Sequence, residues 1–150
     1  MTNSPTYHPS LHKLCREQPL AVLATVANTG PYTNLVAVAF GDDLRSLYFA
    51  TPRATRKYRN LTADSRVSLL VDNRSNEVTD FQRAAAATII GLARETRETE
   101  RTDGAWLYLA KHPHLKDFLA APDCALFRVD IERILLVTDF QQVVEYTVAE

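Results

Sequence analysis

The stretch TPRATRKYRN, residues 51–60, sets Arg53, Arg56, Lys57 and Arg59 close together with no acid among them. The chain as a whole is nearly neutral, with 17 Lys and Arg against 18 Asp and Glu, so the excess is local. Thr55 has the side chain of a helix cap, and a helix over residues 56–63 would carry Arg56 and Lys57 in its first turn. The helix dipole is positive there and disfavours each cation by about 0.3–1 kcal/mol. Backbone N–H groups without partners point out of the same turn. Cations set against the dipole beside open donors form an arrangement that an arriving anion stabilises. A phosphate would meet N–H groups, two fixed charges and the hydroxyl of Thr51, at the end of the preceding strand. The competing reading is a solvated basic helix face whose charges pair with Asp64, Asp42 or Asp43.

The elements that position this cluster read as a β-meander with helices at its edges. Residues 8–17, HPSLHKLCRE, suggest a short helix with Ser10 as cap and Leu11 and Leu14 on one face, ended by Pro19. Strands follow at 20–27, 32–40 and 44–51, separated by the turns NTGP and GDD. Tyr58 and Leu61 on the basic helix would face the sheet. Further strands occupy 66–73 and 84–95, and Gly91 within the second marks a bulge or a close backbone approach. A helix over 104–119 is kinked or split by Pro113, and CALFRVDI and RILLVTDF close the chain as two strands. Six or seven strands with peripheral helices predict a mainly β, α+β protein, a small antiparallel barrel in one domain over 1–150.

Several function classes are disfavoured by the same residues. A net charge of -1 argues against a general nucleic-acid binder. No apolar run approaches the ~18 residues of a membrane span. The polar start, MTNSPTYHPS, lacks a secretory pattern, so a cytoplasmic protein is expected. Cys15 and Cys124 stand alone; they could pair, but free buried thiols suit a reducing compartment better. His112 and His114 flank Pro113 and cannot share a helix face, so no metal site is expected. Motifs for a nucleophile elbow, a Walker loop, a dinucleotide fold and a zinc protease are all missing.

In chain order, LAVLATVANTGPY, TNLVAV, LYFAT, RKYRNL, SRVSLLV and TIIGLA resemble the FMN-binding split-barrel superfamily, best known from pyridoxamine 5'-phosphate oxidase, over residues 10–140. The spacing from Arg56 and Lys57 to the strand opening at Arg66 matches the family pattern without a gap. The resemblance implies a six- to seven-stranded antiparallel split β-barrel that forms a homodimer with two FMN sites at its interface. Carried over by position, it implies that Asn34, Leu35, Val36 and Ala37 line the flavin. Thr51, Arg56 and Lys57 would hold its phosphate. Small side chains at residues 84–87 fit the approach of a partner or ring, or equally a tight core strand.

The chain departs from the oxidase in several places. Asn34 stands where the oxidase has an arginine, Ala86 where it has a glutamine, and Ala50 where it has a tyrosine, which would open the phosphate pocket. The ending QQVVEYTVAE lacks the arginine-histidine motif that grips the oxidase substrate. The expectation is an FMN-dependent oxidoreductase acting on an unidentified small substrate, not a true pyridoxamine 5'-phosphate oxidase. A flavin protein needs no side-chain nucleophile, because the cofactor carries the redox chemistry. The alternatives are a haem-binding or haem-utilisation protein, a flavin-binding protein without turnover, and a deazaflavin-dependent reductase on the same barrel. A haem branch of the superfamily uses a histidine near its C-terminus, and His112 or His114 would be the candidate; otherwise both are exposed on a kinked helix. Trp106 and Tyr108 would either stack on a flavin from the second subunit or pack their own helix.

Overall fold

The computed structural model describes residues 6–148. Residues 1–5 of the polar start, and Glu150 of the acidic tail, lie outside the described residues. Helix α1 (Pro9–Glu17) buries Leu11 and Leu14 as its pattern requires. Its cap is His8, whose Nδ1 accepts from the Ser10 amide, so Ser10 is the donor and not the cap. Pro9 in the first turn pre-sets the backbone and moves the start one residue earlier than a serine cap would.

Strands β1 (Leu20–Ala27) and β2 (Gly30–Ala37) form a hairpin. The strand expected over 32–40 breaks at Val38, whose N–H turns to the Pro19 carbonyl. It resumes as β3 (Ala39–Phe40), which pairs with β4 (Ser46–Pro52). Leu44 sits in the intervening turn at φ 56°, so β4 starts later than residue 44. Helix α2 (Arg56–Ala63) and β5 (Arg66–Asp72) follow. A short α3 (Asp80–Arg83) leads into β6 (Ala86–Glu95). The helix expected over 104–119 begins at Glu98. It divides at Pro113 into α4 (Glu98–Lys111), a tight turn (Pro113–Leu115) and α5 (Lys116–Ala120).

The two closing strands are one, β7 (Cys124–Thr138), followed by an unanticipated β8 (Gln142–Thr147). Glu132 is the extra residue of a bulge: Ile90 pairs with Arg133 and Gly91 with Ile131. That polar interruption mimics a turn in the sequence. Gly91 serves both of its expected purposes, since a Cβ there would meet the Asp130 carbonyl at 2.3 Å.

All pairings are antiparallel, in the order β2-β1-β5-β6-β7-β4-β3, with β8 on β7. The sheet curls until β2 touches β4 without a ladder between them, which is the open seam of a split barrel. Leu23, Phe49, Leu69, Ile89, Phe127 and Ile134 fill its interior. A second core, with Tyr48, Ala50, Tyr108, Leu119 and Leu126, lies between β4, β7 and helices α4 and α5. Strand β4 is therefore buried on both faces. Gly104 lets α4 close on it, because a Cβ would sit 2.6 Å from the Tyr48 ring. Cys15 and Cys124 are both buried and free. Among the described residues no helix is long and apolar enough to cross a membrane.

Candidate functional site

The site is built where β4 hands over to α2. The Thr55 hydroxyl accepts the Tyr58 amide at 3.1 Å and donates to the Pro52 carbonyl at 2.9 Å, so it caps the helix as expected. Thr51 points into the barrel, fully buried, with its hydroxyl 3.0 Å from that of Thr55. Its contacts fix the cap. The amides of Arg56 and Lys57 have no carbonyl one turn back to bond to.

The four cations of the cluster separate into two kinds. Arg53 is held by Glu95 at 3.2 Å and by the Pro122 carbonyl at 3.0 Å. Tyr58 donates to the same Glu95 carboxylate, locking α2 onto β6. Arg56, Lys57 and Arg59 form no ion pair among the described residues. None of the acids expected of a solvated basic face pairs with the cluster: Asp64 pairs with Arg66, Asp43 with Arg45, and Asp42 forms no ion pair among the described residues. Lys57 is half-buried, and that burial pushes its ammonium below the usual lysine range. A partly desolvated cation with no counter-charge is costly in an ordinary surface helix. The guanidinium of Arg56 lies over the Tyr32 ring of β2.

Strand β2 presents two faces to this neighbourhood. Tyr32, Asn34 and Val36 pair with the inward Thr25, Leu23 and Ala21 and share their face. Asn34 Oδ1 is buried and has no hydrogen-bond partner among the described residues. Leu35 is 64% exposed on the opposite face, and Ala37 packs against the α4 core. The fold thus brings Arg56, Lys57, Tyr32 and Asn34 to one end of the barrel. Leu35 and Ala37 turn their side chains away, and Thr51 lies beneath the cap. Tyr32 gave no signal of its own, since its link to Arg56 spans two elements. Asn60, hydrogen-bonded to Thr25 at 3.0 Å, fixes α2 on β1 in the same unread way.

Other expectations change. Ala50 faces the α4 core, not the α2 turn, so its small size opens nothing there. Of residues 84–87, Ala85 and Ala87 are buried in the barrel core, as a tight core strand requires, while Ala84 and Ala86 are half-buried. Tyr108 is buried while Trp106 is 81% exposed. His112 is not exposed but 2% accessible, with Nε2 donating to the Val38 carbonyl at 2.8 Å. Pro113 ends α4 and turns that ring inward, while His114 stays exposed. No cluster of metal-binding side chains occurs among the described residues.

The face of the sheet opposite the barrel interior is also distinctive. Leu35, Val22, Leu70, Thr88 and Leu135 pair in register across β2, β1, β5, β6 and β7. They form a continuous, mostly apolar row, half-buried or exposed in every case.

Comparison with known proteins puts these features in a family context. The family model described as pyridoxamine 5'-phosphate oxidase matches residues 8–138. No curated protein matches the chain. Among solved structures, a heme binding protein from Mycobacterium smegmatis superposes with a TM-score of 0.80 at 19% identity, covering 95% of this chain and 60% of that one. The chain therefore spans less than two thirds of that protein. A FAD-binding protein from Mesorhizobium loti gives 0.66 at 23% identity, with 87% and 94% covered. HutZ, the heme storage protein from Vibrio cholerae, gives 0.67 at 18% identity, with 91% and 92% covered. At these identities the likeness is one of fold.

Proposed function

Because the chain belongs to the pyridoxamine 5'-phosphate oxidase family, we propose that it binds FMN and works as a flavin-dependent oxidoreductase on a small substrate, as a homodimer with the flavin at the interface. The observation that carries this reading is Lys57, a half-buried ammonium in the first turn of α2 with no ion-pair partner among the described residues. The residues present fit the cofactor at two separate points. Lys57, Arg56 and the open amides of their turn would hold its phosphate. The orphaned Asn34 Oδ1 is an acceptor of the kind a flavin imide N–H would satisfy. When bound, FMN supplies hydride and electron transfer. The chain's own residues bind and orient: Thr51 and Thr55 fix the turn, Tyr32 steadies Arg56, and β2 offers its backbone and Asn34.

The apolar row from Leu35 to Leu135 supports the dimer, because among the described residues it stays half-buried or exposed and a second copy would remove it from water. Two free buried thiols suit a reducing, cytoplasmic setting.

Haem is the second reading, favoured by the names of two proteins of like fold. His112 does not support it, because its Nε2 is committed to Val38. The absorption spectrum of the purified protein separates the two. The proposal expects flavin bands and no Soret band; a stoichiometric Soret band without flavin would overturn it. Anaerobic mixing with reduced nicotinamide then divides an enzyme from a flavin store.

A further inference from the structure

We propose that the cleft between α1, the β3–β4 turn and α4 is a second binding site, for a small planar aromatic monocarboxylate. It contains none of Tyr32, Asn34, Thr51, Thr55, Arg56 and Lys57, the residues placed at the flavin site, and stands without that site. Its volume is about 450 Å³, within the usual size range of small-ligand pockets. Trp106 and Phe40 are its aromatic walls. Trp106 is the only tryptophan of the chain and is 81% exposed, although the next turns of α4 pack closely on the barrel. A large indole left in water beside a cleft has stacking surface to offer.

The charges that line the cleft select the ligand. Lys111 donates to the carbonyls of Cys15 at 3.1 Å and Gln18 at 2.7 Å, closing the end of α1. An ammonium carries three donors, so one remains. Arg16 and Asp42 also line the cleft, and none of the three charged groups forms an ion pair among the described residues. Two cations against one acid leave a single positive charge, which a monoanion neutralises and a dianion overfills. The planar fork of Arg16 can hold a carboxylate through two hydrogen bonds, and Asp42 repels a doubly charged phosphate more than a singly charged carboxylate. A flat ring against Trp106 with a carboxylate at Arg16 satisfies both kinds of wall.

Benzoate is the probe, and the emission of Trp106 reports its binding without a label. The expected result is a saturable change in emission with a Kd at or below about 1 mM. Benzamide, of the same shape but uncharged, binds at least about tenfold more weakly, and Arg16→Gln costs benzoate at least about tenfold. Asp42→Asn tightens benzoate. Changes of opposite sign at two exposed positions do not arise from a damaged fold. Calorimetry repeats each titration independently of fluorescence. Lack of saturable binding by both methods overturns the site. Equal affinity for benzamide, indifference to Arg16→Gln, weakening by Asp42→Asn, or tighter binding of phenyl phosphate than of benzoate overturns the assigned ligand class.

Discussion

Arg56 lies over the ring of Tyr32, its guanidinium carbon 5.4 Å from the ring centroid. The contact joins the first turn of α2 to the edge strand β2, the two parts of the candidate flavin site. An exposed cation–π contact is worth about 0.5–1 kcal/mol. Tyr32→Leu should therefore weaken FMN binding about twofold to fivefold by fluorescence titration. Arg53→Ala serves as the control, because Arg53 is held by Glu95 and Pro122 and should leave the affinity unchanged.

Lys57 predicts a pH dependence of definite sign. Burial disfavours its charged form, so the folded apoprotein loses this proton at lower pH than the unfolded chain. Between those two points the unfolded chain holds more protons, and apoprotein stability rises with pH. Bound phosphate acts in the opposite sense by favouring the ammonium. FMN affinity should be full from about pH 7, where the phosphate is ionised, up to the apoprotein pKa of Lys57, and fall as the pH rises through that pKa, with proton uptake on binding in that window. Titrations across alkaline pH check this, and Lys57→Met should flatten the profile. An affinity that rises with pH would contradict the assignment.

The half-buried row on the outer sheet predicts the oligomeric state. Leu70 lies mid-row, paired with Val22 on one side and Thr88 on the other. Leu70→Asp should convert a dimer to a folded monomer, read by light scattering with circular dichroism as the check on the fold. A parent protein that is monomeric with flavin bound would remove the interfacial site.

Turnover of pyridoxamine or pyridoxine 5'-phosphate should be absent even with FMN saturating. Such a substrate brings a second dianion, while Arg56 and Lys57 are already neutralised by the first. Asn34 is uncharged, and Glu145 on β8 pairs with Arg133, so that strand offers no free cation there. Losing two charge-assisted contacts costs roughly 3–6 kcal/mol. Peroxide release at about 1 per second or faster with either vitamer would restore the oxidase activity.

Much of the barrel was readable because its strands alternate cleanly. β1 and α2 fall on their expected residues, since β1 buries every second side chain and α2 carries its own capping threonine. β8 was invisible for a physical reason. Its residues are almost all exposed, so no alternation marks it. The reversal into it runs through Asp139, Phe140 and Gln141, all at positive φ, without a glycine or proline to announce a turn. At the candidate site the charges of Arg56 and Lys57 stood out locally. The partners that sort them, Glu95 for Arg53 and Tyr32 for Arg56, come from distant strands. His112 is buried rather than exposed because its ring bonds to the Val38 carbonyl, a contact across 74 residues that no local pattern marks.

The central claim is that Arg56 and Lys57 hold the phosphate of FMN, and riboflavin, which lacks only that phosphate, tests it most directly. Both flavins are titrated by fluorescence into the parent protein and into Arg56→Ala/Lys57→Ala. The prediction is that the parent prefers FMN by at least about a hundredfold and that the double variant loses this preference while keeping its riboflavin affinity. Equal affinity of the parent for the two flavins, or a preference for FMN that survives in the variant, would contradict it.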